Sequence, residues 1–185
     1  MSFRITGLKF AQFAPLIALP EDKLREHNAL RVVADRSPGF PCRVSLVDAE
    51  PGERLLLVNY EHLPVTSPYH SRHAIYVREN ARDACFGIDE VPPVLQHRLL
   101  AVRAFDSAGM MVDADVAADR QQLVLLSEKL LARAEVAYLH VHNARAGCYA
   151  ARVDRATNRD HDTDHSDEAL NWCCESAVAR DERLG

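Results

Sequence analysis

The chain has 185 residues, 48% apolar and 26% charged, with a formal charge of −5. That length and composition suit one soluble globular domain with a real core, and no apolar run approaches the ~18 residues a membrane span requires. Of the 27 acidic and 22 basic residues, eight and three lie beyond residue 156, leaving a neutral body with 19 of each sign and an acidic tail, a balance that argues against nucleic-acid binding.

The first residues lack the order of basic patch, apolar core and small-residue cleavage site that marks a signal peptide. Five cysteines, with no CxxC pair, fit reduced thiols better than a disulfide framework. A cytoplasmic protein is therefore expected. Phe3-Arg4-Ile5 reads as a short opening strand stopped by Gly7. Phe10, Phe13, Leu16, Ile17 and Leu19 recur at roughly helical spacing, broken by Pro15 and Pro20. Pro20-Glu21-Asp22 is a good first turn for a short helix to about Asn28, with acids at the positive end of the dipole. Leu30–Ala34 reads as a strand.

Ser37 to Pro41 forms a rigid loop that delivers Cys42-Arg43 onto a predicted strand ending at Leu46 or Val47. Asp48-Ala-Glu-Pro-Gly52 is a turn, and Glu53–Tyr60 is the strongest strand of the first half, so a hairpin is expected across it. Glu61 to Arg72 reads as a loop in which Tyr60, His62, Tyr69, His70 and His73 crowd together; such a loop either covers a site or simply lies on the surface. Ala74–Arg78 is a strand. Residues 81–96 lack a pattern and read as loop.

Leu99–Phe105 and Met110–Val116 are strands joined by an Asp106-Ser-Ala-Gly109 turn. Asp119 opens the clearest helix, about 119–133, with Gln122 placed as in a capping box and Leu123, Val124, Ser127, Leu130 and Leu131 as its buried stripe. Val136–Arg155 then folds back on itself as a hairpin about Asn143 to Gly147. Alternation puts Tyr138, His140 and His142 on one face and Ala137, Leu139 and Val141 on the other. On the return strand Cys148, Ala150 and Arg152 share a face, opposite Tyr149, Ala151 and Val153. Residues 157–185 are an acidic extension, read either as a short docked helix or as a segment without regular structure. The fold class is α+β: residues 1–156 form a mostly antiparallel sheet built from hairpins, with one well-defined helix and one or two short ones packed on it.

Three stretches carry a resemblance. PGFPCRVSLVDAEPGERLLLVNYEHLPVTSPY, RAFDSAGMMVDADV and HVHNARAGCYAARVDRA, in that order, resemble the signature segments of a bacterial family known as domain of unknown function 1203. The likeness spans roughly Phe3 to Ala156 and implies a compact bacterial domain. It implies no activity, cofactor or catalytic residue.

The reactive side chains gather in the last hairpin. His140 and His142, two apart on a strand, can share a zinc or iron ion with a third ligand such as Asp106, Asp113 or His62; the plainer reading is a polar sheet face, and no metal ligands are assigned. The hairpin would bring Cys148 opposite His142 with Asn143 orienting the imidazole, an arrangement that activates a thiol; the plainer reading is an inert cysteine, as for Cys42. Arg43, Arg103 and Arg152 sit on or beside strands, where guanidinium forks hold a carboxylate or phosphate, or else the protein's own acids. The leading expectation is a site for a small anionic ligand on the polar face of the sheet. His140, His142, Asn143 and Cys148 would be its acid–base or nucleophilic groups, and Arg43, Arg103 and Arg152 would hold the anion. The alternative is a non-enzymatic protein-interaction domain in which these residues are structural. No nucleotide, metalloprotease or hydrolase motif is present, so no cofactor, reaction or oligomeric state is read from the sequence.

Overall fold

Alternating apolar residues build two antiparallel sheets in the computed structural model, which describes residues 1–156. The larger contains β1 (Phe3–Thr6), β5 (Leu100–Phe105), β6 (Met111–Ala117), β7 (Tyr138–Asn143) and β8 (Tyr149–Arg155), in the order β1-β8-β7-β5-β6. The smaller contains β2 (Ala29–Val33), β3 (Arg54–Leu63) and β4 (Ser71–Arg78), in sequence order. Sheets with helices set to one side make this an α+β fold.

One face of the larger sheet is closed by the helix α4 (Arg120–Leu131). Asp119 caps it, its carboxylate accepting the Gln122 amide at 2.8 Å, while the Gln122 side chain accepts the Ala118 amide at 2.9 Å. The helix turns Leu123, Ser127, Leu130 and Leu131 onto the sheet. They pack in one core with Phe3, Ile5, Val102, Leu139, Val141 and Val153. Burial of this stripe, rather than helix propensity, holds α4 in place. The smaller sheet has a core of its own, in which Leu56, Val58, Ile75 and Val77 pack with Phe13, Leu24, Cys42, Val44 and Tyr149. Short helices α1 (Ala14–Ile17) and α2 (Glu21–Leu24) belong to this side, and α3 (Pro93–Gln96) to the loop expected at residues 81–96. Asn28 ends the α2 segment in the left-handed region, at φ 52°.

Two expectations fail in informative ways. Residues 42–47 form no strand: they make only single bridges, Pro41 to Asp48 and Cys42 to Tyr76, and Leu46 turns the chain at φ 53°, which a strand cannot contain. The expected hairpin onto 53–60 is absent, and β3 pairs instead with β2 and β4. Val44 and Leu46 look strand-like because both are fully buried, one in each core. The loop expected at 61–72 is also shorter than it reads. β3 runs to Leu63 and β4 starts at Ser71, so His62 and His73 stand on strands. Among the described residues no helix is long and apolar enough to cross a membrane. The readings of residues 157–185 lie outside the described residues.

Candidate functional site

The site begins with the register of three strands. His140 of β7 is paired with Arg103 of β5 on one side and Arg152 of β8 on the other. Paired residues of antiparallel strands share a face, so two guanidinium groups flank this imidazole. The next row has Ala101, His142 and Tyr149 abreast. The second row depends on a register shift: Val141 faces Ala151 but His142 faces Tyr149, leaving Ala150 as an extra residue. Such a bulge reverses the alternation beyond it. Tyr149, expected on the apolar face, is therefore turned onto the imidazole face, where its ring centroid lies 5.0 Å from that of His140 and 5.8 Å from that of His142.

The smaller sheet closes this face. His62, from β3, stacks on the Tyr149 ring at 5.0 Å. Its Nδ1 lies 3.4 Å from Nδ1 of His140, and its Nε2 lies 3.0 Å from Nδ1 of His73 on β4. Four imidazoles from two sheets thus meet in one place. His142 is wholly buried and His140 is 2% exposed. The His142 ring donates from Nδ1 to the Gly147 carbonyl at 2.9 Å, and its Nε2 is buried without a partner. Gly147 holds the turn at φ 72°, a conformation that favours glycine.

Burial, reinforced by the neighbouring imidazoles and by Arg103, pulls these histidines toward the neutral form. His140 is lowered to about 2 and His62 to about 4. His142 is lowered to about 3 by burial, against the Gly147 hydrogen bond that favours its charged form. His73, more open, is lowered in the same direction. The cluster is a set of uncharged nitrogen lone pairs, able to accept a hydrogen bond or a metal ion.

The predicted groups separate. Cys148 does not bond His142. Its sulfur accepts hydrogen bonds from Arg43 Nη2 at 3.0 Å and from Asn143 Nδ2 at 3.4 Å. Asn143 therefore touches the thiol and not the imidazole it was expected to orient. Arg43, 2% exposed, also donates to the carbonyls of Tyr149 (2.7 Å) and Pro41. It clamps the loop before it to the start of β8; burial lowers its pKa, opposed by the thiols of Cys148 and Cys42. Arg152 is held by Asp154 through both carboxylate oxygens and lies over the Tyr138 ring at 3.9 Å. Arg103 is not paired to a carboxylate among the described residues. Of the third ligands suggested for a metal, Asp106 accepts backbone amides in its own turn and Asp113 accepts Arg133, while His62 joins the cluster. Cys42 is a core cysteine, as its plainer reading has it.

Beside the imidazoles opens a cleft of about 990 Å³ between the loop at 36–48, β4, residues 93–99 and the β7–β8 turn. Arg36, Arg43, Arg98, Arg145, His73 and His97 line it, with Asn143 and Cys148. Its one acid, Asp48, is neutralised by Arg98, whose Nη2 reaches both carboxylate oxygens at 2.6 and 2.8 Å. Arg98, His73 and Arg36 were not singled out as ligands from sequence. The pairing of β3 with β4 was the signal for His73, because it sets His73 opposite Tyr60, two residues from His62 on the same face.

Fold and site together define an α+β domain with a buried imidazole cluster beside a basic cleft. The chain belongs to the DUF1203 family, described as proteins of unknown function, whose model matches residues 39–155. That span contains every cluster and cleft residue named above except Arg36, and omits β1 and β2. No curated protein and no solved structure matches the chain.

Proposed function

We propose that this domain binds a small anionic molecule in the basic cleft, with the Cys148 thiol at its wall. The observation that carries the reading is the charge of the lining: four arginines and two histidines surround a single acid that Arg98 already neutralises. A cleft of about 990 Å³ is of the size small ligands occupy. Arg145 is exposed and unpaired among the described residues, so its guanidinium is available to a carboxylate or phosphate. Arg43 shapes the wall, and Arg103 and Arg152 act on the neighbouring imidazole face rather than in the cleft itself.

If the domain is an enzyme, Cys148 is the nucleophile the cleft offers, with Asn143 and Arg43 fixing its sulfur. The three cysteines among the described residues are free thiols, which supports a reducing, cytoplasmic setting.

Calorimetry and thermal shift with inorganic phosphate, sulfate and citrate test the reading, together with the rate of Cys148 alkylation. An anion should raise the melting temperature and slow alkylation. Arg145→Ala should weaken that anion by about tenfold, the worth of one charge-assisted hydrogen bond. The proposal fails if none of the three shifts the melting temperature, or if Arg145→Ala binds as tightly as the native chain.

A further inference from the structure

We infer that His62, His73 and His142 form a binding site for a divalent first-row transition metal, with at least one coordination position left for water or another ligand. One nitrogen from each residue lies within 4.8 Å of the others. The three come from β3, β4 and β7, so two sheets hold them, and none depends on a loop for its place.

The hydrogen bonds around the set select the atoms. Gly147 occupies Nδ1 of His142 and leaves Nε2 as a buried lone pair with no partner. A buried polar atom with nothing to bond is costly, and a metal ion would remove that cost. His140 meets Nδ1 of His62 and leaves Nε2 toward His73. Metal-bound histidines usually have their second nitrogen held in this way, by a carbonyl or another side chain. His140 is thus a positioning residue, and the HxH pair divides into one ligand and one support. A tetrahedral ion with bonds near 2.05 Å sets its nitrogens about 3.3 Å apart. His62 Nε2 and His73 Nδ1 already stand at 3.0 Å. Since no separation exceeds 4.8 Å, reaching that spacing takes at most about 1.5 Å, within reach of imidazole rotation.

Neutral imidazoles with no carboxylate suit zinc, iron(II), cobalt(II) or nickel(II) and disfavour magnesium and calcium. Three protein ligands leave a tetrahedral ion one position open. Arg103 and Arg152 flank His140 on the same face and repel a cation, so the loaded site favours an anionic group at that position.

The test uses the full chain without a polyhistidine tag. Metal content is measured as purified, and the metal-stripped protein is titrated with cobalt(II) and followed by its visible absorption. His161→Ala/His165→Ala controls for weak binding by Asp-His pairs in the tail. One ion per chain is expected, with an absorption spectrum of bound imidazole, unchanged in the tail control. His142→Ala should lose the spectrum, and His140→Ala should weaken binding by about tenfold or more, as removal of a supporting partner does. Should His142→Ala not fold, His73→Ala, at a more open position, decides instead. Less than a tenth of an ion per chain together with no cobalt spectrum overturns the inference, as does undiminished binding in the ligand variant that folds. Arg145→Ala alters the cleft and none of the ligands, so failure of the anion proposal and failure of this one are read separately.

Discussion

The two faces of β7 solve burial in different ways. Leu139 and Val141 point to α4 and pack in the larger apolar core. His140 and His142, one residue along, are as deeply buried and meet imidazoles, a phenol ring and guanidinium groups. The first face is held by the transfer of hydrocarbon from water, which is undirected and tolerant of detail. The second buries polar atoms, each of which must find a partner, and one, His142 Nε2, does not. The helix side also holds one unpaired polar atom, the Ser127 hydroxyl, but it stands alone; the unpaired nitrogen of His142 lies among other imidazole lone pairs, which is where binding chemistry is expected.

Substitutions that break this contrast should differ in size and in kind. Leu139→Ala opens a cavity on the helix side and should cost about 3–4 kcal/mol in chemical denaturation, with little change in anion or metal binding. Arg43→Ala should cost about 3 kcal/mol, because it leaves the Tyr149 and Pro41 carbonyls without their buried donor. Unlike the leucine change, it should also impair the cleft. Arg43→Lys should not restore it, since one ammonium cannot reach three partners in a fork.

The third effect depends on pH. His62, His140 and His142 have folded pKa values of about 4, 2 and 3, below the ordinary 6.5. Below pH 6.5 the unfolded chain therefore binds more protons than the folded one. In metal-stripped protein the contribution of these groups is complete above pH 6.5 and is lost as the pH falls toward 4 and below. Melting temperatures across that window should drop steeply in the native chain and less in His140→Phe. A flat profile would contradict the burial of the cluster. Asp119→Ala removes the cap of α4 and should cost about 1 kcal/mol at neutral pH. Smallest is Ser127→Ala. The Ser127 hydroxyl is buried among leucines without a partner, so its removal should be neutral or stabilising by up to about 1 kcal/mol.

The same contrast explains what could be read from residues alone. The helix-covered half is legible: the cap at Asp119, the leucine stripe after it, and strands β5 to β8 all follow from local periodicity and turn chemistry. The apolar side of the last hairpin was legible too, as was the gathering of imidazoles opposite it. The cluster's membership was not. His62 and His73 lie in a segment rich in Pro, Ser and Tyr that looks like a loop, and only the pairing of β3 with β4 extends the strands through it. Alternation alone puts Tyr149 on the apolar face, and one bulged residue, Ala150, turns it to the other. Cys148 lies six positions after His142, yet it faces Arg43, 105 residues earlier in the chain. Arg98 of the cleft finds Asp48 across a separation of 50. Contacts of that range are fixed by tertiary packing and have no local pattern to show.

The account rests on imidazoles buried neutral between two sheets. Imidazole nitrogen shifts, followed by NMR on metal-stripped protein from pH 8 to pH 5, test it most directly. His62, His140 and His142 should stay neutral across the range. Titration of all of them near 6.5 would place the rings in water and contradict the account.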